Sequence, residues 1–322
     1  MNKLFLPLTL LCLLLLSACG TPAASPSPEA SPAASPADNA ATPSATAAAD
    51  ASATRTYQSE QGPVEVPAHP QRVVVLSSFA GNVMALGVPL VGVDSWSKMN
   101  PRFESQLQNV QEASEENLEK IIELNPDLII GLDGLKNLDK LKQIAPTVVY
   151  TYGKVDYLTQ HLELGKLLNK EQEAKAWIDS FKQRAQKAGD QIREKIGQDA
   201  TVSVVENFDK QLYVFGDHWG RGTEILYQEM KLKMPAKVKE MTDKDGYYAL
   251  STEVLPQYAG DYLIVSRNKD TDNAYEQTDT YKNMPAVKNN RVYTANAKEF
   301  YFNDPLTLDF QLDFFIKSFL GQ

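Results

Sequence analysis

The chain has 322 residues, with 41 acidic side chains against 32 basic ones and a formal net charge of −9. That balance argues against a nucleic-acid binder or a general adhesive for anionic surfaces, and ordinary solubility accounts for it. Cys12 and Cys19 are the two cysteines, and His69, His161 and His218 lie far apart with no HxxxH or HExxH spacing. A zinc enzyme is therefore not expected, and neither a Gly-rich phosphate loop nor a GxSxG elbow is found.

Residues 1–18 read as a secretory signal. Lys3 supplies the positive start, Leu4 to Leu16 is an apolar run, and the small residues Ser17 and Ala18 precede Cys19. Leu16-Ser17-Ala18-Cys19 resembles the bacterial lipobox, in which cleavage leaves the cysteine as the acylated first residue. The resemblance implies lipidation at Cys19 and an extracytoplasmic chain held on the cell membrane by its N-terminal lipid. Cys12 would leave with the signal, so no free thiol remains for a disulfide, a metal site or a nucleophile. Residues 19–55 are almost wholly Ala, Pro, Ser and Thr from Thr21 to Ala53. Such a segment cannot bury enough apolar surface to offset its ordering entropy, so a disordered spacer is expected.

From Arg72 onward, apolar strand runs alternate with amphipathic helical stretches. RVVVLSS (72–78), LVGVDSW (90–96), DLIIGL (127–132) and TVVYTYG (147–153) read as strands. Between them NVMALG, NLEKIIELN (117–125) and LDKLKQIAP (138–146) have helical spacing, the last two stopped by prolines. A helical span follows from Tyr157 to Ile196, divided near Asn169-Lys170 and interrupted by Gly165 and Gly189. Ile178, Phe181, Ala185 and Ile192 mark its apolar face. The second run holds strands 201–208, 211–216, 261–266 and 291–296, a helix over 222–230, and a closing helix over 304–320. Strands alternating with helices predict parallel βαβ units.

The halves echo each other, because Glu119 to Asp127 and Glu253 to Asp261 are both eight residues apart in similar contexts. The helix dipole favours an acid in a first turn and accounts for each glutamate alone. The matched pair suggests an α/β fold of two Rossmann-like lobes with parallel sheets, joined by a single long α-helix. The expected divisions are an N-terminal lobe over 56–156, a helical segment including the linking helix over 157–197, and a C-terminal lobe over 198–322.

Three segments carry a family resemblance: LYVFGDHWGRGTEILYQEMKLKMP (212–235), FYFNDPLTLDF (300–310) and NLEKIIELNPDLII (117–130). Together they resemble the helix-linked solute-binding proteins that serve ABC importers, in particular the ferric-hydroxamate binding lipoproteins of Gram-positive bacteria. The resemblance runs from about Tyr57 to the C-terminus. It implies the helical-backbone periplasmic-binding-protein fold and a monomeric binding protein that is not an enzyme. No cofactor is implied, because the ferric siderophore is itself the ligand. The implied partners are that siderophore and the permease subunits of an importer with a cytoplasmic ATPase.

By resemblance, Trp219 and Arg221 carry over as ligand-binding residues, Tyr301 as an aromatic facing the ligand, and Glu119 and Glu253 as prongs that dock on permease arginines. Many hydroxamate binders resemble Trp-Tyr where this chain has Phe300-Tyr301-Phe302, which leaves the particular ligand open. The chemistry agrees independently. A ferric hydroxamate is bulky and oxygen-rich, so it wants flat aromatic walls and a rigid donor, and arginine presents a planar fork for two oxygens.

Weaker candidates are Tyr213 on the strand before that loop, Trp96 and Lys98 after strand 90–96, and Tyr152 after strand 147–153. Ser77 and Ser78 end the first strand, where either ligand donation or helix capping fits. Other ligands for the same fold are ferric citrate, a catecholate siderophore gripped by Arg221, Lys98 and Arg102, haem using His218, or a corrinoid. An extracellular hydrolase or a direct tyrosine-ligated Fe(III) binder is the reading from a different class. No metal is expected to be bound directly by the protein.

Overall fold

A computed structural model describes residues 53–321. The expected signal segment, Cys19 and nearly all of the expected spacer lie outside the described residues. The first described element is an antiparallel hairpin of β1 (Thr54–Ser59) and β2 (Gly62–Pro67). β1 starts just inside the segment assigned to the spacer. Tyr57 anchors the hairpin, buried in the first lobe with its hydroxyl 3.1 Å from that of Tyr150.

The first lobe is a five-stranded parallel sheet of β3 (Val73–Val75), β4 (Leu90–Val93), β5 (Gln111–Glu112), β6 (Leu128–Leu132) and β7 (Thr147–Tyr150), ordered β5-β4-β3-β6-β7. Its connections carry α1 (Ala80–Ala85), α2 (Ser95–Lys98), α3 (Leu118–Leu124) and α4 (Leu138–Ile144). β3 is buried at all three positions, as a central strand covered on both faces should be. Next come α5 (Tyr157–Leu167) and the 26-residue α6 (Glu171–Ile196).

The second sheet has β8 (Val202–Phe208), β9 (Gln211–Phe215), β10 (Tyr247–Leu250), β11 (Tyr262–Arg267) and β12 (Val292–Asn296), ordered β10-β9-β8-β11-β12. A π-helix (Glu224–Glu229), α7 (Ala236–Thr242), α8 (Asp279–Lys282), α9 (Pro285–Lys288) and α10 (Pro305–Leu320) complete the lobe.

Both sheets have the same rank order, 3-2-1-4-5 in their own chain sequence. The matched aspartates do the same job in each. Asp127 accepts the amides of Gln71 and Arg72 at 2.6 and 2.9 Å, and Asp261 accepts that of Thr201 at 2.8 Å. Each thus ties the start of the fourth-ranked strand to the start of the first. The expectation of parallel sheets holds for the first lobe and for β8, β11 and β12, whereas β9 runs antiparallel to both its neighbours, β8 and β10. The cause is the two-residue turn Asp209-Lys210, with φ of 46° and 67°, whose left-handed geometry matches the twist of a tight hairpin.

α6 buries Phe181, Ala185, Ala188 and Ile192 against the second lobe, close to the apolar face read from the sequence. Gly189 is required by a close approach: a Cβ there would lie 2.3 Å from the Met230 carbonyl oxygen. The chain also crosses between lobes. Tyr301 and Phe302, which follow the last strand of the second sheet, pack into the core of the first lobe. Immediately afterwards the Asp304 carboxylate caps α10 and presses against Gly81 of α1.

Behind this junction His161 of α5 is fully buried, with Nδ1 3.2 Å from the Asn82 amide nitrogen and its ring edge-on to Trp177 of α6. Burial disfavours the cation and holds its pKa down at about 4. The unfolded chain therefore binds a proton between pH 6.5 and 4 that the native state refuses. Stability is full above that window and falls through it on acidification, by about 3 kcal/mol at most. His161→Gln is expected to flatten this part of the profile, measured as a smaller drop in melting temperature between pH 7 and pH 4.5. Asp304, pushed up to about 6 by burial, slopes the opposite way but is common to both proteins.

Candidate ligand-binding cleft

The segment 216–223 is shaped by backbone conformation. Gly220, Arg221 and Gly222 have φ of 72°, 62° and 76°, three successive left-handed residues. Glycine suits the outer two; at the centre an arginine is held there against its intrinsic preference. The amide of Arg221 donates to the Phe300 carbonyl at 2.7 Å, that of Gly220 to Glu224 Oε1 at 2.8 Å, and the Thr223 hydroxyl to the Gly220 carbonyl at 2.7 Å. A Cβ on Gly220 would come 3.0 Å from the Tyr301 carbonyl oxygen, and one on Gly222 2.7 Å from the Phe315 ring. The segments 212–235 and 300–310, far apart in the chain, thus form one structural unit.

Arg221 is buried at 8% exposure. Its Nε donates to Glu206 Oε2 at 3.0 Å, and the Ser266 hydroxyl donates to the same oxygen at 2.8 Å. The guanidinium lies 4.7 Å from the ring centres of both Phe215 and Tyr301, and 5.8 Å from that of Phe208. Glu206 and Ser266 stand near the carboxyl ends of β8 and β11, at the point where strand order reverses, the usual place for ligands in open α/β sheets. Tyr301 stacks on Trp96 of the first lobe at 5.2 Å and 17°. Its hydroxyl is buried without a hydrogen-bond partner among the described residues, and burial beside Glu206 pushes the phenol up.

Beside this stack a cavity of about 650 Å³ opens between the lobes. Its walls include Phe79, Tyr152 and Tyr157 from the first lobe and helical segment, and Trp219, Glu224, Tyr247 and Asn303 from the second. Trp219 is 36% exposed, 4.9 Å from Tyr247 and edge-on to Tyr152 at 5.9 Å, while Tyr152 is 58% exposed. These are two of the three large apolar or aromatic side chains found exposed among the described residues.

The expected site residues separate into groups. Trp219 and Tyr152 line the open cavity; Arg221, Tyr301 and Trp96 form the closed stack next to it. Tyr213 is half-buried between Phe215 and Tyr247. The Lys98 ammonium bonds the carbonyls of Leu107 (2.7 Å) and Val110, so it braces a first-lobe loop, outside the lining of that cavity. Arg102 stacks over Phe310, 4.4 Å from its ring centre, and pairs with Glu299. His218 lines the cavity rim with Nδ1 2.6 Å from Asp217.

Glu119, in the first turn of α3, and Glu253 are both exposed, and neither forms a salt bridge among the described residues. Glu206, Glu224 and Tyr247 escaped the sequence reading. No group of three or more His, Cys, Asp or Glu among the described residues could hold a metal ion, and no helix there is long and apolar enough to cross a membrane.

Two lobes of identical strand order, a long helix behind them and an aromatic cleft between them define a solute-binding protein. The chain belongs to the periplasmic binding protein family, which it matches over residues 73–299. It is 37% identical over 268 residues to the iron(3+)-hydroxamate-binding protein YxeB of Bacillus subtilis, covering 80% of this chain and 83% of that one. It is 35% identical over 276 residues to the iron(3+)-hydroxamate-binding protein FhuD of the same organism, covering 82% and 86%. Among solved structures, FhuD2 from Staphylococcus aureus with bound ferrioxamine B superposes with a TM-score of 0.73 at 36% identity, over 77% of this chain and 99% of that one.

Gly222→Ala tests whether the left-handed loop is needed. Its Cβ would meet both an unfavourable φ and the Phe315 ring, so a loss of roughly 2–4 kcal/mol is expected from strain and overpacking. Urea unfolding followed by circular dichroism measures it.

Proposed function

We propose that this protein captures a ferric hydroxamate siderophore between its lobes and delivers it to an ABC importer. The observation that carries the reading is Arg221, a guanidinium fixed on a rigid loop at the strand ends among the rings of Phe215, Tyr301 and Phe208, with Trp219 and Tyr152 as flat walls of the adjoining cavity. One fork of donors and several aromatic faces suit a bulky chelate with an oxygen-rich centre and apolar linkers. Iron would be held by the siderophore's own oxygens, so the protein needs no metal ligand, no cofactor and no catalytic group. Similarity to two iron(3+)-hydroxamate-binding proteins and to a ferrioxamine-bound structure supports the same ligand class.

The lipobox-like Leu16-Ser17-Ala18-Cys19 supports anchoring of the mature protein to the outer face of the cell membrane through lipid on Cys19. Glu119 and Glu253 would then meet arginines on the permease, one prong per lobe, and fix orientation more than affinity.

Intrinsic tryptophan fluorescence reads binding directly. Titration is expected to saturate with ferrioxamine B and ferrichrome, and not with ferric citrate, ferric enterobactin, haem or free Fe(III). Saturation by unchelated iron would sink the reading. Arg221→Ala should weaken hydroxamate binding roughly 10- to 100-fold, the scale of a lost charge-assisted hydrogen-bonding group. The double variant Glu119→Ala with Glu253→Ala should keep wild-type affinity in solution and lose uptake of radiolabelled ferric siderophore in cells. Loss of affinity in that variant would refute the docking role.

A further inference from the structure

Two carboxylates are buried against the loop that grips the ligand in the proposed function. Glu206 is 0% exposed and Glu224 is 2% exposed. Neither is suited to bonding a chelate's oxygens, since an ionised carboxylate and a hydroxamate or catecholate oxygen are both acceptors. Glu206 spends one oxygen on Arg221 and Ser266, while Oε1 has no hydrogen-bond partner among the described residues. Glu224 accepts from the Gly220 amide at 2.8 Å, has the Thr223 hydroxyl oxygen 3.4 Å away, and forms part of the cavity wall beside Trp219. Burial raises its pKa, and these donors oppose that rise.

The electrostatic balance follows from the same residues. Arg221 is the buried cation of the cleft, and Glu206 already pairs with it. The cavity rim carries two lysines, Lys154 and Lys244, and two aspartates, Asp156 and Asp245, and Lys154 is paired with Glu60 at 3.1 Å. A site built for an anion would leave positive charge unspent in a place where water screens it little. Among its buried groups this cleft leaves none, since Arg221 is already paired, and it adds a second buried acid.

We infer that Glu206 and Glu224 set the charge selectivity of the cleft, admitting ferric chelates of zero or positive net charge and rejecting anionic ones. Three hydroxamates cancel the charge of Fe(III), and a pendant amine adds a positive charge. Three catecholates bring six negative charges against three, and the carboxylates of citrate likewise leave an anionic complex. The inference rests on the proposed function for the position of the ligand. It differs from a purely structural role, in which the carboxylates would only hold Gly220 and Arg221 in place.

Replacement by glutamine separates these roles, because the amide keeps an acceptor oxygen and loses the charge. Wild type, Glu206→Gln and Glu224→Gln are titrated by tryptophan quenching with ferrichrome (neutral), ferrioxamine B (positive) and ferric enterobactin (three negative charges). The ratio of the enterobactin Kd to the ferrichrome Kd, taken for the wild type from the initial slope of the unsaturated enterobactin titration, is expected to fall at least ~10-fold in each variant, the effect of removing about 1.4 kcal/mol of buried repulsion. A ratio within twofold of wild type in both variants overturns the inference and leaves the proposed function standing. A wild-type protein that prefers ferric enterobactin to ferrichrome overturns both. Should Glu206→Gln fail to fold by circular dichroism, Glu224→Gln decides alone, since it leaves the Arg221 pair intact.

Discussion

The buried ion pair between Glu206 and Arg221 is the constraint around which the cleft is organised. An arginine with φ of 62° and 8% exposure would be costly alone, both in backbone strain and in desolvated charge. Glu206 compensates the charge at 3.0 Å, and the flanking glycines make the backbone path feasible. The Phe300 carbonyl then locks the loop to the chain segment that carries Tyr301. Removing either partner would leave an uncompensated charge in the core, so recognition chemistry and fold stability meet in one pair of side chains.

The helix behind the lobes places a mechanical limit on that cleft. α6 packs on the π-helix and α10, both second-lobe elements, and the Gly189 approach to Met230 leaves no room for sliding. The first lobe reaches this unit through α5, through α1 against α10, and through the Trp96–Tyr301 stack. Such packing favours small rocking of packed elements over a wide hinge swing between separate bodies.

Most of the central strands were legible because they are short, β-branched and bounded by turn residues, as in VVV of β3 or LIIGL of β6. The β1–β2 hairpin was not, since its TRTYQS and GPVEVP alternate polar with only a few apolar positions. The reversal of β9 was hidden in Asp209-Lys210, a pair whose composition does not announce a left-handed turn. Within the site, Trp219 and Arg221 stood out because glycines surround them. Glu206 did not: it lies in the polar tail of a strand and gains meaning from a partner fifteen residues away. Lys98 closes α2, and the curl of residues 103–110 presents the Leu107 and Val110 carbonyls to its ammonium.

Tyr301 and Phe302 belong to the second half of the chain and fill the interior of the first. Neither half is thus a self-sufficient module. A fragment ending after α6 would retain the whole parallel sheet yet lack the rings that close its apolar interior beside Trp96 and Phe103. Synthesis must reach position 302 before the amino-terminal sheet can finish packing, which ties completion of one lobe to emergence of the other.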